Sequence, residues 1–97
     1  MKVRFLEAAK TELEGASDYY DLEFEGLGGR FRNEVKLALL RIVRHPEAWS
    51  LEIEDIRKCL LHKFPYKLLY SVETDHILVI AVAHQHREPD YWTERIN

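Results

Sequence analysis

The chain has 97 residues, 46% apolar and 32% charged, a composition that suits one folded domain over 1–97 and excludes a disordered chain or a second core. Its net charge of −3 argues against a dedicated nucleic-acid binder, and the lone Cys59 excludes an internal disulfide. No apolar run is long enough to cross a bilayer, and the charged start MKVRFLEAAK lacks a signal-peptide core, so a cytoplasmic protein with no membrane contact is expected.

KVRFL alternates, with Val3 and Phe5 on one face, and predicts a short first strand. From about Glu7 to Phe24, Ala9, Leu13, Ala16 and Tyr20 recur at spacings of four, three and four. That is the stripe of an amphipathic helix, with the acids on its opposite side. Gly15 costs this helix about 1 kcal/mol relative to alanine, which points to a close approach by a neighbouring element. The sequence GLGG, 26–29, reads as a tight connection. A second helix follows on Phe31, Val35, Ala38 or Leu39, and Ile42, with a basic outer face of Arg30, Arg32, Lys36, Arg41 and Arg44. His45-Pro46 ends it, because proline disfavours helical geometry in the residue before it. So short a connection pairs the two helices antiparallel.

EAWSLEIED reads as irregular, and the period then changes to two. IRKCLLHKF alternates imperfectly and buries Cys59 as a small hydrophobe. YKLLYSV puts Tyr66, Leu68, Tyr70 and Val72 on one face, with Pro65 at the strand's start or at a bulge. After a turn at Glu73–His76, the unbroken run ILVIAVA suits a central strand covered on both faces. The expected fold is α+β, in the order β-α-α-β-β-β, with a helical hairpin on a small twisted, mostly antiparallel sheet.

Charge is segregated. Residues 7–25 carry seven acids against Lys10 alone, whereas 56–72 carry Arg57, Lys58, Lys63 and Lys67 and no acid. With His84, His86, Arg87 and Tyr91 from the last strand and its tail, these cations become one concave cluster if the last three strands are neighbours. Cations stabilise a phosphate, and a histidine or tyrosine moves the proton. The other reading is the polar rim of a sheet end, in which Lys58 and Lys67 are free to point to opposite faces. Spacing alone leaves both open. His84 and His86 lack a third ligand at any metal spacing, so no metal and no cofactor are expected. No serine has a triad setting, and GLGG lies between helices rather than after a strand. Tyr91 and Trp92 read as a tail folding back on the sheet, and Trp49 as a cap on the exit of the second helix.

The order GLGGRF, a helix ending in HPE, IRKCLLHKFPYKLLY and ILVIAVAHQHREPDYW resembles the RelE/ParE superfamily of type II toxin–antitoxin toxins, closest to the ParE-like, or plasmid stabilization protein, branch. The resemblance implies a growth-arresting toxin neutralised by a cognate antitoxin in a hetero-oligomeric complex. It divides on mechanism. ParE-like members poison DNA gyrase, whereas RelE-like members cut mRNA on the translating ribosome. In the nuclease alternative the catalytic set is Lys67, His86, Arg87 and Tyr91: Lys67 and Arg87 hold phosphate while His86 or Tyr91 moves the proton. Under either mechanism Arg57, Lys58, Lys63, His84 and Trp92 are the expected contacts to substrate or target. Gln85 stands where RelE-type enzymes keep a second arginine, and Lys67 lacks arginine's bidentate grip, which favours a gyrase-directed protein. A further alternative is a non-toxic binding module.

Overall fold

The structure is a computed structural model that describes residues 1–96. Its elements are β1 (Lys2–Phe5), α1 (Glu7–Glu23), α2 (Leu27–Arg44), β2 (Leu51–Ile53), β3 (Ile56–Leu60), β4 (Tyr66–Val72), β5 (His76–His84) and a closing 3-10 turn, Thr93–Ile96. Five strands form one sheet in the order β1-β5-β4-β3-β2. All pairings are antiparallel except β1 with β5. The fifth strand, β2, lies inside the segment expected to be irregular. Only Leu51, Glu52 and Ile53 extend, too short a run to show a period.

The helices cover one face of the sheet. Phe31, Val35, Ala38 and Ile42 of α2 and Ala9 and Ala16 of α1 pack on Cys59, Leu68, Tyr70, Ile77, Val79 and Val82. Tyr70 is wholly buried yet keeps its hydroxyl satisfied, donating to the Pro46 carbonyl at 2.6 Å. Burial pushes its phenol up to about 12. On the other face Ile56, Leu69, Ile80, Ala81 and Ala83 pack on Trp92, which the tail folds back over the sheet. The β4–β5 register slips between Leu69 and Tyr70, so Ile80 is an extra residue and both Ile80 and Ala81 reach the tail face. This bulge, with cover on both sides, explains why 77–83 is apolar without alternation.

α2 begins at Leu27, inside the stretch expected to be a loop. Only Gly26, at φ 88°, makes the turn. Gly28 instead lets the helices touch: a Cβ there would lie 2.3 Å from the Ser17 carbonyl oxygen and 2.7 Å from the Asp21 carboxylate. Asp21 accepts from the Gly28 N–H at 2.8 Å, Ser17 Oγ donates to the Gly28 carbonyl at 3.2 Å, and Arg32 Nε donates to Ser17 Oγ at 2.9 Å. Gly15 is expected to mark a close approach, but a Cβ there would meet nothing within 4 Å. The two glycines therefore exchange roles. Gly28→Ala should destabilise the chain by roughly 2 kcal/mol through backbone overpacking. Gly15→Ala should stabilise it by about 1 kcal/mol through helix propensity. Paired urea melts measure both, and equal midpoints for the two variants would refute the assignment.

Candidate functional site

The cations that the sequence groups together are divided by the sheet. Cross-strand partners share a face, so the register Arg57↔Tyr70 and Cys59↔Leu68 turns Arg57 towards the helices. There Arg57 donates to the Trp49 carbonyl at 2.7 Å. Lys58↔Leu69 and Leu60↔Lys67 put both lysines on the tail face, not on opposite faces. Each reaches Glu52 of β2: Lys58 Nζ is 3.3 Å from Oε1 and Lys67 Nζ 3.7 Å from Oε2. Lys67 and Glu52 have side chains only 15% and 13% exposed, so this is a shielded charge cluster. Lys63, at φ 72° in the β3–β4 turn, approaches Glu34 of α2 at 3.9 Å. One concave face does not collect these groups.

A second set gathers where β5 runs out of neighbours. β1 pairs only with His76–Val79, leaving the edge of β5 from Ile80 to His84 without a strand. Side chains substitute for it. Glu12 of α1 accepts from the Val82 N–H at 3.0 Å, and Arg95 of the tail donates to the Ile80 carbonyl at 3.0 Å. Glu12 and Arg95 join each other through two bonds of 2.9 Å, and Tyr91 donates its hydroxyl to Glu12 at 2.6 Å. Burial pushes the Glu12 carboxyl up, but the hydrogen bonds from Arg95, Tyr91 and Val82 outweigh it and hold the group below its usual range. Burial first, and then the carboxylate beside it, push the Tyr91 phenol far up, which disfavours its use as a base.

Arg87 lies over the Tyr91 ring with its guanidinium carbon 4.0 Å from the centroid. Next to it, His84 meets Tyr66 edge-on at 5.0 Å and His86 at 5.3 Å, while the His86 N–H donates to His84 Nδ1 at 3.1 Å. His84, Arg87, Tyr66 and Tyr19 line a small cleft over Gly15, which accounts for the open space at that glycine. Thus His84, His86, Arg87 and Tyr91 come together, and Lys67 is turned from them across β3 towards β2. Trp92 is wholly buried, its indole N–H donating to the Pro89 carbonyl at 2.9 Å, so it packs the core and offers no surface to a target. Among the described residues no group of three or more His, Cys, Asp or Glu is placed to hold a metal ion.

Glu12, Glu34, Glu52 and Arg95 organise these sites and are absent from the sequence-derived set. Two of them carry a signal. Glu12 stands three residues after Ala9 and four before Ala16, and Glu34 three after Phe31 and four before Ala38. Both acids are in register with the apolar stripes, not opposite them.

A helical hairpin on one face of a mostly antiparallel sheet, closed by a tail over the other, defines the class as a two-layer α+β fold. A solved structure described as the chromosomal ParDE TA system from P. aeruginosa shares it, with a TM-score of 0.76 over 87% of this chain and 95% of that one at 12% identity. Residues 3–89 match the family described as ParE toxin of type II toxin-antitoxin system, parDE, and the chain belongs to that family. No curated protein sequence matches it.

Proposed function

We propose that the chain is the toxin of a type II toxin–antitoxin module, held by its cognate antitoxin, and that the free chain arrests growth by acting on DNA gyrase in the cytoplasm rather than by cutting mRNA. The observation that carries the choice is the state of the cations. A phosphoryl-transfer site needs free positive charge directed at the reacting group. Here Lys67 and Lys58 are engaged by Glu52, Tyr91 by Glu12, and Gln85 supplies no charge. The ribosome-dependent nuclease stays as a second reading because His84, His86 and Arg87 do adjoin one another. Among the described residues no helix is long and apolar enough to cross a membrane.

Induction of the chain without its antitoxin tests both. Double-strand breaks and an SOS response are the expected result, and rapid cleavage of translated mRNA would overturn the gyrase reading. Lys67→Met and His86→Ala should each leave growth arrest intact. Loss of toxicity in either variant, with its fold retained by circular dichroism, would favour the nuclease. Unimpaired growth with soluble protein would remove both mechanisms.

A further inference from the structure

A cavity of about 620 Å³ opens between the first turn of α2 and the β3–β4 turn, away from the β5 edge. Tyr20, Leu27, Phe64 and Pro65 give it apolar walls, Glu34, Lys63 and Arg30 supply charge, and Asn33 adds an amide. Glu34 is the unusual member. It is only 6% exposed, and its Oε1 is buried with no hydrogen-bond partner among the described residues. Its Oε2 is met only by Lys63 at 3.9 Å, and the Lys63 side chain is 73% exposed. A buried carboxylate without donors is costly, and so loose a pair does not relieve it. Arg30 and Lys63 line the cavity, yet neither donates to Glu34 Oε1, which is left for a donor from outside.

Other features specify that donor. Tyr20 and Phe64 stand edge-on with ring centroids 5.0 Å apart, a surface on which a flat cation stacks. A guanidinium brings planarity and several N–H groups for one carboxylate, where an ammonium brings neither the plane nor the fork. The chain leading to the cavity carries exposed Asp18, Glu23 and Glu25, acids complementary to a basic segment that approaches from this side. Along it Leu22 and Phe24 are 89% and 69% exposed, apolar contacts for the residues flanking the cation.

We propose that this cavity receives an arginine side chain from an apolar, basic segment of the antitoxin, with Glu34 as its carboxylate partner and Lys63 as the group it displaces. This rests on the toxin reading above for the source of the arginine, but not for the slot itself. The slot is tested on the purified full chain by NMR titration with N-acetyl-arginine-N-methylamide, using the blocked lysine and citrulline as controls. Arginine should shift the amides of Gly29, Glu34 and Lys63 in preference to both controls. Glu34→Gln, which keeps shape and removes charge, should weaken binding by about tenfold or more without lowering Tm. Lys63→Ala, which removes the competing ammonium, should strengthen it. Absence of an arginine-specific response, or one unchanged by Glu34→Gln, overturns the slot. The occupant is tested with the protein encoded beside this chain's gene: Glu34→Gln should weaken that complex, and unchanged affinity overturns the antitoxin as the source. Growth arrest is read separately, so a chain that is not toxic but binds arginine through Glu34 refutes the function and not the slot.

Discussion

Glu12→Ala is expected to lower stability by roughly 3 kcal/mol, the cost of breaking a shielded ion pair by removing one partner. The substitution leaves the Tyr91 hydroxyl and the Val82 N–H without an acceptor and the Arg95 guanidinium with the Ile80 carbonyl alone. Glu12 and Arg95 are only 16% and 21% exposed, so water replaces those bonds poorly. In a domain of this length such a loss corresponds to a fall in Tm of about 12–24 °C, measured by thermal circular dichroism. A shift under about 3 °C would mean that the clasp is ornamental to the fold. Arg95→Ala in the Glu12→Ala background should cost less than the sum of the single changes, because it removes the stranded charge.

The same carboxylate sets an acid limit. Its folded pKa lies below the ordinary glutamate value of 4.5, so the unfolded chain takes up the proton first as pH falls. Stability from Glu12 is complete above that value and is lost as pH drops through the lower, folded one. Glu12→Ala should flatten this part of the acid limb, and an unaltered slope below pH 4.5 would refute the assignment.

What can be read from the sequence divides by range. Elements with several turns of periodicity are legible: the pattern carries α1 to Phe24 and the helix ends at Glu23, and Pro65 stands just before β4. β2 is not, because three residues carry no period and its pairing with β3 is a tertiary fact. The glycines mislead for a related reason. Gly26 and Gly28 look alike in GLGG, and only the position of α1 assigns one to the turn and the other to a helix contact. At the site, residue type identifies the polar groups but not their partners. Lys67 and Tyr91 read as free reagents, while Glu52 and Glu12, which engage them, lie 15 and 79 residues away in the chain. The acids in the apolar stripes are the sign that the helices carry buried charge. A stripe position held by glutamate demands a partner, and the chain supplies Arg95 for Glu12 but only a loose Lys63 for Glu34.

A chain ending at Pro89, where the family match also ends, is expected not to fold cooperatively. The truncation removes Trp92, whose burial alone is worth about 3–5 kcal/mol, and with it the cover over Ile80, Ala81 and Ala83. It also removes Arg95 and Tyr91, leaving Glu12 a part-buried carboxylate whose one remaining donor is the Val82 N–H. These losses together match the roughly 5–15 kcal/mol that holds a whole domain. The edge of β5 from Ile80 would then be open for association with other chains. The truncated chain should therefore aggregate or bind ANS and lack a sharp melting transition, whereas Trp92→Phe in the full chain keeps one at reduced Tm. A truncated chain melting within about 3 °C of the full one would reduce the tail to decoration. The tail acts on the fold from both sides of one strand, as the layer that Trp92 completes on its face and the neighbour that Arg95 replaces along its edge.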